Sequence, residues 1–243
     1  MNLSNHTNHH SELTPYRAPH ELQAVLFDMD GTLVDTEDLW QQAAEDEAAL
    51  LGLTLGPDDQ QFILGRAVED TAAHLHGRQL AEDTAEKTPL SWLCVALERR
   101  FTDLVRTRVV PLPGALDLLD ELAAGSVTIA LVSASPRHVV DIVLDALGRD
   151  RFAVSFAAGE TPRTKPAPDP YLAAAEALGV RPSRCVAVED TPTGVASAEA
   201  AGCAVLAVPS ATAVAAAPGR TVVRSLQDVD LALLRGLVPL GEN

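Results

Sequence analysis

The sequence predicts an α/β fold: a doubly wound parallel sheet carrying an inserted α-helical domain. Three observations lead there. Apolar runs without polar alternation recur at about 22–28, 127–132, 152–156, 185–188 and 204–208, the pattern of strands buried on both faces of a parallel sheet. Stretches of helical periodicity separate them, so the crossovers carry helices and are right-handed. One interval, 37–106, is far longer than a crossover needs. Pro57, Gly65, Gly77 and Pro89 divide it into helical segments with no strand among them.

Taken in order, residues 1–20 are polar, with Pro15 and Pro19, and read as a disordered tail. The first strand runs into Asp28-Met29-Asp30-Gly31. Alternate residues of an extended chain share a side, so both acids face one pocket at the strand's carboxyl end, where open α/β sheets bind ligands. Thr36, followed by Glu37 and Asp38, is the expected N-terminus of a helix reaching about Leu51. Pro111-Leu112-Pro113-Gly114 is rigid punctuation before a helix to about Ala124. The second strand ends in Ser133-Ala134-Ser135-Pro136, and Pro136 suits the first turn of a helix to about Leu147. After the third strand and a polar loop, Lys165 is expected to begin a helix that reaches Leu178. The fourth strand ends in Glu189-Asp190 and is followed by a helix to about Ala201, and a short strand and closing helix fill 221–235. The expected division is a core domain of 21–36 and 107–243 with a helical domain of 37–106.

Composition narrows the function. A formal net charge of −16, from 34 acids against 18 bases, argues against duplex nucleic acid or an anionic membrane as partner. It leaves room for a small anionic substrate if a cation and a few positive groups line the pocket. Only Lys87 and Lys165 are lysines. Cys94, Cys185 and Cys203 have neither zinc spacing nor a disulfide framework and read as free thiols of a reducing cytosol. No stretch reaches transmembrane length and no signal pattern opens the chain. The expectation is a cytoplasmic monomer.

Three strands end in groups that chemistry can use: Asp28 and Asp30, Ser133 and Ser135, Glu189 and Asp190. Two carboxylates as close as Asp28 and Asp30 repel, so a cation or a proton must compensate. With a divalent cation bound, Asp28 becomes a nucleophile towards phosphorus, and Asp30 can give a proton to the leaving alcohol and take one from water. The carboxylates of the first and fourth strands form a hard oxygen cage suited to Mg²⁺. The Ser133 hydroxyl and the backbone N–H groups that follow it, including that of Ala134, suit phosphate oxygens. Lys165 supplies a point charge to phosphate and to Asp28. Each group alone has an ordinary structural use: an Asp-Gly turn, a helix cap at Ser133, a solvent-facing lysine, acids opening a helix. Their joint placement at strand ends favours chemistry.

Four segments together resemble the motifs of the haloacid dehalogenase superfamily: Phe27-Asp28-Met29-Asp30-Gly31-Thr32-Leu33-Val34-Asp35-Thr36, Ser133-Ala134-Ser135, Lys165-Pro166-Ala167-Pro168-Asp169, and Val188-Glu189-Asp190-Thr191-Pro192-Thr193-Gly194. The branch they most resemble is the β-phosphoglucomutase-like phosphatases, with a Rossmann-like core and a helical (C1) cap. The resemblance implies Asp28 as nucleophile forming an aspartyl-phosphate and Asp30 as general acid/base. It implies Mg²⁺ on the Asp28 side chain, the Asp30 backbone carbonyl and Asp190, with Glu189 nearby. It places Ser133 and Lys165 on the phosphate and makes 37–106 the cap.

Within that superfamily Asp30 disfavours a dehalogenase, and Lys87 lies too late in the cap for the Schiff base of a phosphonatase. The mutases carry a histidine in the first cap helix and a glycine, two residues, then arginine. Alignment puts Trp40 at the histidine and Val68, three residues after Gly65, at the arginine. Arg66 lies near enough to reach a second phosphate, and Trp40 can pack on a sugar face or serve as a hinge tryptophan. The sequence therefore predicts a Mg²⁺-dependent phosphatase of sugar or polyol monophosphates. A phosphosugar mutase is the alternative, and a non-catalytic binding protein is disfavoured because no catalytic position is lost.

Overall fold

The computed structural model describes residues 22–64, 66–81, 87–210 and 212–238. The tail expected over 1–20 and the division expected at Gly65 lie outside the described residues. Six strands form one sheet: β1 (Ala24–Phe27), β2 (Thr128–Val132), β3 (Val154–Phe156), β4 (Cys185–Glu189), β5 (Ala204–Ala207) and β6 (Arg220–Val222). Every pairing is parallel, in the order β3-β2-β1-β4-β5-β6. Phe27 is in register with Leu131 of β2 on one side and Val188 of β4 on the other. The strand order turns outward from β1 in both directions, so the end of β1 is the topological switch point.

The strands are apolar on both faces because both faces are covered. Val25 and Phe27 join Ile129, Leu131, Val186 and Val188 in a cluster with α5 (Ala115–Ala124), α6 (Arg137–Leu147) and α9 (Leu231–Leu237). Ala24 and Leu26 join Ala130, Val132 and Ala187 against α7 (Asp169–Ala177) and α8 (Pro192–Ala201). The second face is built largely of alanine and valine, which lets its two helices approach closely. Each large side chain fully buried here contributes roughly 1.5–3 kcal/mol, enough to fix the strand register that sets the site.

Between β1 and β2 come α1 (Glu37–Leu50), α2 (Pro57–Ile63), α3 (Val68–Ala81) and α4 (Leu90–Arg108). They surround a third cluster of their own, including Ala44, Ile63, Leu75, Leu93 and Leu97. They meet the main core through the last turns of α4, where Val105 is fully buried and Phe101 packs beside it, and through Leu39 of α1. The last inserted helix ends at Arg108, and Gly77 lies inside α3 instead of dividing it. The helix after Lys165 starts only at Asp169, leaving Lys165 in the preceding loop. Among the described residues no helix is long and apolar enough to cross a membrane.

Candidate active site

The site starts at the residue after β1. The Asp28 N–H donates to the Val188 carbonyl at 2.9 Å, so the first acid is fixed by the same ladder that pairs β1 with β4. Met29 is fully buried in the main core, which sends Asp28 and Asp30 to the other side of the chain. A tight turn follows, with Gly31 N–H on the Val34 carbonyl at 2.9 Å and Leu33 N–H on the Met29 carbonyl at 3.0 Å. Gly31 has φ +77°, and a Cβ there would fall 2.3 Å from Oδ2 of Asp190. Glycine is required on both counts.

The polar side chains divide into two groups. In the first, Asp28, Glu189 and Asp190 are buried and offer carboxylate oxygens that all lie within 4.8 Å of one another. Lys165 stands among them. Its Nζ donates to Asp28 Oδ1 at 2.6 Å, to Glu189 Oε1 at 2.6 Å and to the Val132 carbonyl at 2.9 Å. An ammonium has three protons, so a phosphate oxygen reaching Lys165 must displace or share with one of these acceptors. The expected Asp28 contact is present, and Glu189 and the end of β2 are bound as well.

In the second group, Asp30 accepts from three hydroxyls: Thr36 Oγ1 at 2.7 Å on Oδ1, and Ser135 Oγ at 2.8 Å and Ser133 Oγ at 3.2 Å on Oδ2. One sequence expectation changes here. Thr36 makes no side-chain cap on α1, because its hydroxyl is turned to Asp30. Ser133 donates to Asp30, while its oxygen accepts from the Ser135 N–H at 2.9 Å. Ala134 is exposed in the turn between β2 and α6. The Asp30 side chain is taken up by its three hydroxyls and is not among the carboxylates that could jointly hold a metal ion, Asp28, Glu189 and Asp190.

The electrostatics follow from crowding. Burial pushes Glu189 up to about 7, with Lys165 opposing and the charge of Asp28 adding. Burial and Asp28 together push Asp190 up to about 8. Burial also raises Asp30, the charge of Asp28 adds to it, and the three hydroxyls work against both. For Lys165, burial favours the neutral amine, but Asp28 and Glu189 outweigh it and hold the side chain protonated. Three hard oxygen donors short of counter-charge fit a divalent cation. So does Oε2 of Glu189, which is buried with no hydrogen-bond partner.

Sequence reasoning left several contributors out of the site. Thr36 reads from the sequence as the N-terminus of a helix, whereas Ser135 is already among the strand-end groups. Tyr171 donates its phenol to Glu189, and Ser210 its hydroxyl to Asp190. The signal for Tyr171 is a lone phenol among alanines in α7, since a buried tyrosine needs a partner for its O–H. The signal for Ser210 is its place just past β5, on the same sheet edge. Gly194 is a third: a Cβ there would fall 1.9 Å from Glu189 Oε2. The two cap candidates have contacts within the cap. Trp40 packs edge-on to Phe101, centroids 5.4 Å apart, and supports the cap cluster. Arg66 is exposed, with its guanidinium 5.0 Å from the Phe62 ring centroid.

Comparison with known proteins gives a consistent result. Residues 22–202 match the family of haloacid dehalogenase-like hydrolases. The chain is 33% identical over 197 residues to protein CbbY of Rhodobacter capsulatus, covering 78% of this chain and 86% of that protein. It is 31% identical over 194 residues to hexitol phosphatase B of Escherichia coli strain K12, covering 79% and 86%. Among solved structures, CbbY of Rhodobacter sphaeroides in complex with phosphate superposes with a TM-score of 0.72 at 26% identity, covering 88% of this chain and 99% of that one.

Proposed function

The chain belongs to the haloacid dehalogenase-like hydrolases, and from that premise we propose that it is a Mg²⁺-dependent phosphatase of sugar or polyol monophosphates. One observation carries the reading. Two carboxylates two residues apart are held in different environments, Asp28 against the Lys165 ammonium and Asp30 among three hydroxyls. Environments that push neighbouring acids apart are how one site obtains a base and an acid together.

Asp28 is the nucleophile. Lys165 occupies its Oδ1, so Oδ2 attacks phosphorus and forms an aspartyl-phosphate. Asp30, with its raised affinity for a proton, protonates the departing alkoxide. It then takes a proton from the water that hydrolyses the aspartyl-phosphate. The Ser133 hydroxyl and the backbone N–H of Ala134 orient the phosphate at the start of α6. Asp28, Glu189, Asp190 and the Asp30 carbonyl would hold Mg²⁺, which neutralises the crowded acids and draws charge from the phosphoryl oxygens.

Hexitol phosphatase B, by its name, acts on a phosphorylated hexitol, which supports a polyol or sugar monophosphate for this chain. In the cap, we assign the exposed Arg66 to the substrate and Trp40 of α1 to packing against Phe101 of α4. The three cysteines are free, and burial pushes the Cys185 and Cys203 thiols up to about 12, as suits inert thiols in a reducing cytosol.

The test is phosphate release from a panel of sugar and polyol phosphates with Mg²⁺, repeated with EDTA and with glucose 1,6-bisphosphate. Release that EDTA abolishes and that needs no bisphosphate is expected. Isomerisation of a sugar phosphate only with the bisphosphate, without phosphate release, would overturn the reading in favour of a mutase.

A further inference from the structure

Glu189 is held in an unusual way. It is fully buried at the end of β4. Its Oε1 accepts from both Lys165 and Tyr171, while its Oε2 is buried without a partner. Gly194 of α8 lies against the whole carboxylate, so close that any Cβ there would overlap it. The carboxylate is therefore wedged between α8 and the pair formed by Lys165 and Tyr171.

Tyr171 brings more than packing to this arrangement. It is fully buried in the cluster of small side chains beneath β4, and the Lys165 ammonium lies 5.1 Å from its ring centroid. One side chain thus touches both the acid and the cation. The phenol O–H donates to Oε1 of Glu189. That donor fixes which Glu189 oxygen is committed and leaves Oε2 as the unsatisfied one. A buried acceptor without a partner is costly, and such a group calls for an ion or an ordered water.

We infer that Tyr171 is a positioning residue of the cation site: by occupying Oε1 of Glu189 and flanking Lys165, it holds the carboxylate so that the cluster of Asp28, Glu189 and Asp190 is preformed before the cation arrives. The inference rests on the reading of that cluster as a Mg²⁺ site. Removing hydrogen bonds that orient metal ligands typically weakens metal affinity by about 10–100-fold. Loss of a neutral phenol leaves the ligands themselves in place, so the lower end of that range applies.

The experiment is calorimetric titration of Mg²⁺ into the wild-type protein and into Tyr171→Phe, with the thermal unfolding midpoint of each measured in EDTA. Phe keeps the ring and its packing and removes only the hydroxyl. The expected result is a dissociation constant raised about tenfold, with a metal-free midpoint close to that of the wild type. Equal Mg²⁺ affinity in the two proteins overturns the inference, whatever the change in midpoint. An unchanged affinity with a lowered midpoint would make Tyr171 a packing residue only. If the wild type itself takes up no Mg²⁺, the reading of the cluster as a cation site fails first. Tyr171→His, which restores a donor on a smaller ring, should recover part of the lost affinity. No recovery, together with the same loss in Tyr171→Leu as in Tyr171→Phe, would assign the effect to ring shape and not to the hydrogen bond.

Discussion

The sheet edge and the helical cap each contain a buried polar network, and the two are built on opposite principles. At the sheet edge, carboxylates are packed together with too little positive charge, and burial raises Glu189 and Asp190. In the cap, Asp59 of α2 is surrounded by donors: His74 at 2.7 Å, the Gly56 N–H at 2.8 Å, and the Arg78 guanidinium. Its carboxyl is held well below the usual range, chiefly by Arg78. The cap network is complete in itself and ties α2 to α3. The network at the sheet edge is complete only with something added. In these two networks the structural acid, Asp59, is satisfied within the fold, and the acids at the sheet edge are left short.

The comparison breaks most sharply under substitution. Asp28→Asn should lower turnover by more than about a thousandfold, since a nucleophile cannot be replaced by its amide, while circular dichroism stays unchanged. Retained turnover would remove Asp28 from the mechanism. Asp30→Asn should slow chemistry by about 10²–10⁴-fold. The loss should be larger for poor leaving groups than for an activated aryl phosphate; equal losses on both would argue against an acid role. By contrast, Asp59→Asn should cost about 1.5–3 kcal/mol of stability in denaturant titrations and leave turnover of the folded protein unchanged. A loss of turnover in folded Asp59→Asn would mean that the two networks are coupled.

The smallest effect sharpens the contrast through its sign. Glu189 and Asp190 have folded-state pKa values of about 7 and about 8, above the roughly 4 expected when unfolded. Their contribution to stability is therefore greatest below pH about 4 and is lost as pH rises through those folded values. Asp59 is shifted down, so its contribution is full above pH about 4 and is lost as pH falls further. In EDTA, the unfolding midpoint should rise by roughly a few degrees between pH 8.5 and pH 6, and saturating Mg²⁺ should flatten that rise. Below pH about 4 the wild type should lose stability more steeply than Asp59→Asn. A midpoint in EDTA that falls between pH 8.5 and pH 6 would contradict the crowding of the site.

The same division governs what the sequence made legible. Asp28 and Lys165 are 137 positions apart, and Asp30 and Ser133 are 103 apart, yet all were placed in one site. In a parallel sheet every strand's carboxyl end falls on one edge, so an apolar run followed by a reactive group carries a position with it. Thr36, Tyr171 and Ser210 are harder to assign. A hydroxyl is common, and which carboxylate it meets depends on packing that no local pattern encodes. Lys165 was expected to open a helix and instead lies in the loop before α7, because Pro166 and Pro168 delay the helix to Asp169. In the cap, Asp59 is one of 34 acids, and nothing in its neighbourhood announces the Arg78 and His74 partners that α3 brings to it. Gly77 lies within a helix that its packing supports despite the residue's low helical propensity.

The central claim is that Asp28 carries the phosphoryl group between substrate and water. Its most direct test is to quench the protein during turnover with substrate and Mg²⁺, reduce it with borohydride, which converts an aspartyl-phosphate to homoserine, and map the modified peptide by mass spectrometry. Homoserine at position 28, absent when EDTA replaces Mg²⁺ and absent in Asp28→Asn, is the expected result. Homoserine at another aspartate, or none in protein quenched while releasing phosphate under conditions that trap an acyl phosphate standard, would contradict it.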